Sequence, residues 1–211
     1  MKLKTMRGTL FLILLFAVGV RAQEFERARE EPGGGPVAFV FESSGYSYHV
    51  TSNGNGRRVR GGRTRLFNLR LDGRDAITRI YFSKYKDDLL LLCEVSDGEK
   101  RGAFAARLEQ PSMRARWKLP VLSPSIGPTL REGARLYLTG RGFVALLDLD
   151  KGEYLWHHED LFESRGPDSF AGFERPEPGG REVLFRERPV YNGPARAVVV
   201  DRKTGKILRV E

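Results

Sequence analysis

Arg57, Arg58, Arg60, Arg63 and Arg65 put five guanidiniums into nine residues around Gly61-Gly62. A guanidinium is a planar fork of donors that matches phosphate, sulfate and carboxylate, so this cluster could grip an anionic polymer or a lipid head group. The same residues also suit a solvated hairpin edge whose like charges discourage edge-to-edge pairing. No helix pattern follows the glycines, which excludes a dinucleotide fingerprint.

The other chemistry-bearing residues are sparse. His157-His158-Glu159-Asp160 offers imidazole and carboxylate ligands, but neighbours in a strand point to opposite faces. One local pair, His158 with Asp160, is conceivable, and only the distant His49 could add to it. Cys93 is the only cysteine, so no intramolecular disulfide can form; within Leu89-Leu90-Leu91-Leu92-Cys93 it reads as a buried strand residue. No nucleophilic triad stands out, and no catalytic, metal or cofactor site is assigned. Asp148, Asp150 and Asp201 read as turn residues whose carboxylates accept backbone N–H bonds. Trp117 and Trp156 read as packing anchors between neighbouring units.

The elements that must position these residues are strands. Gly142 to Trp156 reads as a hairpin: an apolar strand, an Asp-Lys-Gly turn and a second strand ending on Trp156. The pattern returns at Val199 to Arg209, where Asp201 matches Asp148, Gly205 matches Gly152 and Arg209 stands in the place of Trp156. Looser copies end on Trp117 and, earlier, on Ile77. The spacings between positions 77, 117, 156 and 209 are then 40, 39 and 53, the last holding an insertion rich in Gly, Pro and charge. Short strands at a period of roughly 40–45 residues are propeller-like. The chain carries no amphipathic helix pattern of useful length. The expected class is all-β: four antiparallel units at about 37–77, 78–119, 120–160 and 161–211, forming a small closed ring or an open arc.

Residues 134–156, Ala-Arg-Leu-Tyr-Leu-Thr-Gly-Arg-Gly-Phe-Val-Ala-Leu-Leu-Asp with Lys151-Gly152 and Trp156 behind them, resemble one blade of the pyrroloquinoline-quinone-type (PQQ-like) β-propeller repeat. Residues 195–209 share the pattern through Thr204-Gly205-Lys206, with Arg209 in place of the family's Trp. The resemblance implies a propeller fold. The enzymes of that family enclose a quinone and a calcium ion in a ring of about eight blades, and many carry a vicinal Cys pair. With room for about four units and one Cys, this chain is expected to bind no such cofactor. The non-enzymatic relatives use propeller faces to dock proteins in the cell envelope.

The N-terminus bears on where such docking would happen. Lys2, Lys4 and Arg7 precede an apolar run from Thr9 to Val20 that is too short for an ordinary membrane span. Val20-Arg21-Ala22 then places small residues where a signal peptidase reads. Residues 1–22 therefore read as a secretory signal, with an uncleaved anchor as the alternative. Removing them takes the formal charge from +9 to +5, a balance that mildly favours anionic partners without demanding nucleic acid. Residues 23–36 read as a flexible Gly-rich leader and 37–211 as the folded region. Export without disulfides or Asn-x-Ser/Thr sites fits a bacterial periplasm or exterior better than a eukaryotic secretory route.

Two function classes follow: an exported, non-catalytic module that binds an envelope protein, or a binder of anionic polymer or lipid through Arg57–Arg65. An enzyme with an unidentified site is a third. No stable membrane span is expected after signal cleavage.

Overall fold

The computed structural model describes residues 25–31, 36–73, 75–110, 112–162, 171–188 and 195–211. The segment read above as a secretory signal, part of the leader and residues 163–170 of the insertion lie outside them. The described residues contain strands and turns, and no helix among them is long and apolar enough to cross a membrane.

The chain opens with two short strands, β1 (Glu26–Arg27) and β2 (Arg29–Glu31). Sheet I joins β2 to β3 (Ala38–Ser43), β4 (Tyr46–Thr51), β5 (Asn55–Arg60) and β6 (Arg63–Asn68). Sheet II joins β1 to β7 (Ala76–Tyr85), β8 (Asp88–Ser96), β9 (Arg101–Glu109) and β10 (Ala115–Val121). Sheet III is β11 (Leu130–Glu132), β12 (Arg135–Gly140), β13 (Phe143–Asp148) and β14 (Glu153–His158). Sheet IV is β15 (Glu177–Gly179), β16 (Glu182–Arg186), β17 (Ala197–Asp201) and β18 (Ile207–Val210). All pairings are antiparallel between neighbours in each sheet, which is the propeller-like, all-β architecture expected.

Three apolar interfaces hold the four sheets together. Phe39, Phe41, Tyr48 and Val50 of sheet I pack on Ile80, Leu89, Leu91 and Cys93 of sheet II. Leu90, Leu92 and Ala105 on the other face of sheet II meet Leu136, Phe143 and Leu147 of sheet III. Tyr137, Val144, Leu146 and Trp156 meet Val183, Phe185, Val198 and Val200 of sheet IV. The unbroken run Leu89–Cys93 is thereby explained: β8 is buried on both faces, so it needs no polar alternation. Burial also pushes the Cys93 thiol far up, out of the range where a thiolate reacts. The sheets do not close into a ring; the architecture is the open arc.

Two expectations change. Residues 26–31, placed in a flexible leader, form strands that run from the inner edge of sheet II (Glu26↔Phe82) to that of sheet I (Arg29↔Val40). Ala28 between them is buried, and its N–H donates to the Ile80 carbonyl at 2.9 Å. A charged segment forms strands here because main-chain hydrogen bonds to two open edges do the holding. The second change concerns Ile77. It lies in β7, the first long strand of sheet II, whereas Trp117, Trp156 and Arg209 lie in the last strands of their sheets. The three last strands share one bulge, at Arg116, Leu155 and Leu208, each just before the anchor position. The bulge of β7 falls at Thr78 instead, so position 77 has no part in that pattern.

Turn chemistry closes the repeated hairpins. Asp148 Oδ1 accepts the N–H groups of Asp150 and Lys151 at 2.8 and 3.1 Å. Asp201 Oδ1 accepts those of Lys203 and Thr204 at 3.0 and 2.8 Å, and its Oδ2 takes Arg181 Nε at 2.6 Å. The Thr204 N–H, then Arg181 and the Thr204 hydroxyl, hold the Asp201 carboxyl well below the usual carboxylate range. A lowered native pKa stabilises the fold above the unfolded-state value, and that contribution is lost as pH falls through the native one. Below about pH 4 the denaturant midpoint of the parent chain is therefore expected to fall more steeply than that of Asp201→Asn. Parallel acid profiles would leave this carboxylate without a role in stability.

Candidate functional site

Two basic surfaces and one mode of inter-sheet locking make up the site. The locking explains why sheets from distant sequence meet at fixed angles. The Trp117 indole N–H donates to the Leu149 carbonyl at 3.0 Å, and the Trp156 indole N–H to the Arg202 carbonyl at 3.2 Å. Each acceptor is the residue after a turn aspartate. Each indole also lies against the turn glycine of the next sheet: an added Cβ at Gly152 would stand 2.3 Å from Trp117, and at Gly205 2.4 Å from Trp156. Both glycines have positive φ, so nothing larger fits either the turn or the contact. His158 reinforces the second lock, its Nε2 lying 2.6 Å from the Gly205 carbonyl, so that nitrogen carries the proton. His157 faces Glu159 at 3.3 Å. Among the described residues no group of three His, Cys, Asp or Glu is placed to hold a metal ion.

The first basic surface is the β5–β6 hairpin. Gly61 and Gly62 both have positive φ, +55° and +75°, the two-residue turn that matches strand twist. The register sets Arg58 opposite Arg65 and Arg60 opposite Arg63 on one face, and puts Arg57 on the other beside Leu66. Two of the five guanidiniums have structural partners. Arg58 donates to the Gln110 carbonyl of sheet II and lies 4.3 Å from the Tyr46 ring centre. Arg60 lies 4.8 Å from the same centre and donates to the Tyr46 hydroxyl at 3.1 Å. That hydrogen bond, with Arg58 nearby, lowers the Tyr46 pKa. Among the described residues none of the five arginines forms an ion pair with a carboxylate. Like charges set directly opposite are unfavourable, so the hairpin carries a positive field that its own chain does not neutralise.

The second basic surface is a cleft of about 620 Å³ where sheet II meets sheet III and the segments flanking sheet IV. Arg27 comes from β1, Arg79 from β7, Arg101 from the start of β9, Arg141 from the β12–β13 turn and Arg188 from beyond β16. Glu30 and Glu94 are the acids on its wall, and Pro124, Ile126, Pro128 and Phe173 supply apolar surface. Glu94 is fully engaged: one oxygen takes the Ile126 N–H at 2.9 Å and the other Arg79 at 3.1 Å, with 8% of its side chain exposed. The β7 bulge at Thr78 precedes Arg79 and turns it towards the cleft. A second cleft of about 480 Å³ shares Arg79, Ile126, Gly127, Pro128 and Arg188 and adds Phe25, Tyr81 and Arg175. Sequence inspection missed this surface because its arginines stand far apart in the chain; no local pattern could have shown it.

No protein-family model matches the chain. No curated protein matches it either. Among solved structures it is similar to BamB from Moraxella catarrhalis, at 13% identity and a TM-score of 0.51, covering 90% of this chain and 66% of that one. The computationally designed Ika8 protein is a further neighbour, at 11% identity and a TM-score of 0.47, covering 88% of this chain and 61% of that one. The chain thus spans just under two thirds of the length of the first and about three fifths of the second. The likeness to BamB is one of fold, and the fold it supports is a propeller-like array of four antiparallel sheets.

Proposed function

We propose that this chain is an exported, non-catalytic interaction module of the cell envelope, whose propeller-like arc docks another protein. The observation that carries this reading is the arc itself. Three apolar interfaces join four sheets, and among the described residues nothing covers the outer face of sheet I, where Leu66 is 78% exposed beside Arg57. A sheet face of this kind is a surface for a partner. The fold likeness to BamB is compatible with this reading, and so is the resemblance of residues 134–156 and 195–209 to PQQ-like blades, which we propose as the repeat type. Affinity purification of the full chain from native envelope extract tests it. A discrete protein retained through moderate salt is expected; recovery of the chain with bound lipid or polysaccharide and no protein would contradict it.

A second reading rests on the β5–β6 hairpin. Its unneutralised arginines suit an anionic polymer or lipid head group. Heparin or lipopolysaccharide columns separate the two, because each released counterion steepens the salt dependence. Changing Arg57, Arg63 and Arg65 to Ser spares the Arg58 and Arg60 contacts and should abolish retention if the hairpin is the site. Failure of the parent chain to bind in low salt would remove this reading.

A further inference from the structure

We propose that the larger cleft, together with its adjoining extension, binds an extended acidic segment of the docked protein, its Asp and Glu side chains taken by the guanidiniums of Arg27, Arg79, Arg101 and Arg188. This rests on the protein-docking reading above and names the chemistry of the partner. The cleft and its extension, of about 620 and 480 Å³, lie in the range of about 300–1,000 Å³ that holds a short ligand stretch and no folded domain.

The lining selects among anions. Three arginines of sheet II, with Arg188 from beyond β16, point the cleft towards carboxylate or phosphate, since a guanidinium fork meets either with two parallel hydrogen bonds. Glu30 and Glu94 stand among them, paired to Arg27 at 2.7 Å and to Arg79 at 3.1 Å, so the lining keeps a cationic excess that carboxylates spaced along a peptide can meet. Pro124, Ile126, Pro128 and Phe173 give the peptide's aliphatic parts a floor that a sugar or phosphate chain would not use. The cleft lies between residues of sheets II and III and the segments of Gly172, Phe173 and Arg188 beside sheet IV. Arg101 is exposed and, among the described residues, has no carboxylate partner; Arg188 has only Glu174 at 3.6 Å, so both can turn to a ligand.

The probe is a fluorescein-labelled (Asp-Ala-Glu-Ala)2 peptide, with (Asn-Ala-Gln-Ala)2 as control, titrated against the full chain by anisotropy in low salt. The variant Arg101→Ser with Arg188→Ser is expected to weaken the acidic peptide about tenfold or more, the loss of at least one charge-assisted hydrogen bond. Arg63→Ser with Arg65→Ser on the hairpin should leave it within about twofold of the parent, as expected of residues away from the site. The amide peptide should bind neither. If the Ser variant melts early, Arg101→Lys with Arg188→Lys replaces it: charge stays, the fork is lost, and binding should still weaken. Parent-like affinity in a folded cleft variant would overturn the proposal, as would equal binding of the amide peptide. Binding of phosphatidylglycerol vesicles that depends on Arg101 and Arg188 would assign the cleft to lipid instead. A failed peptide test beside a captured envelope protein would move docking to another surface; failure of both would remove the docking reading itself.

Discussion

Trp156→Ala is expected to cost about 3–5 kcal/mol, the usual loss for a buried aromatic. The indole is 7% exposed and lies edge-on to Phe185 at 6.2 Å and tilted against Tyr137 at 6.4 Å, so its removal opens the sheet III–sheet IV interface. It also strips the Arg202 carbonyl of its donor and leaves a gap over Gly205. At about 2–4 °C per kcal/mol for a chain of this size, the melting temperature should fall by about 6–20 °C. Arg209, at the same place after the same bulge, packs on no further sheet among the described residues; it is half-exposed and paired with Glu182 and Glu211. Arg209→Ala should leave the melting temperature nearly unchanged. Equal losses in the two variants would mean that position 209 is packed as position 156 is.

How far this was legible in the sequence depends on where the holding forces come from. The Gly142–Trp156 and Val199–Arg209 hairpins were legible because the Asp-to-Gly turn chemistry and the β-prone runs are local. The run Leu89–Cys93 was legible as buried, since no other environment suits five apolar residues in a row. Residues 26–31 were not, because Glu26, Arg27, Arg29, Glu30 and Glu31 carry no apolar period; their strands exist through main-chain bonds to sheets formed elsewhere. Ile77 was aligned with Trp117 by its place in the repeat spacing, and only the bulge registers separate them. The hairpin arginines were visible as a cluster, but not that Arg58 and Arg60 are engaged by Gln110 and Tyr46. The larger cleft was invisible, since Arg27, Arg79, Arg101 and Arg188 meet only through the fold.

Asp88→Ala should be comparably damaging. The Asp88 side chain is 4% exposed, and its Oδ2 accepts Arg107 Nε at 2.6 Å and Arg116 Nε at 2.7 Å. Arg107, 9% exposed, continues to the Leu149 carbonyl and to Asp150, both at 3.0 Å, and so ties sheet II to sheet III. The β10 bulge at Arg116 brings the second guanidinium to the same oxygen. Removing Asp88 leaves Arg107 buried without its main counter-charge, a change that costs about 3–5 kcal/mol when one partner of a buried pair is lost. Asp88→Ala combined with Arg107→Met should recover much of the loss, since an apolar pair has no charge left to strand. Urea midpoints of the single and double variants measure both. A neutral Asp88→Ala, or a double variant worse than the sum of its parts, would show that the network does not hold the two sheets.

The claim that the arc docks a protein is tested most directly by site-specific photo-cross-linking in the native envelope. A photoreactive residue replaces Arg101 in the cleft, Leu66 on the uncovered face of sheet I, or Arg209 at the far end. A discrete protein adduct from position 101 or 66, and none from position 209, is the predicted result. Adducts from positions 101 and 66 that carry only lipid or polysaccharide would contradict the account.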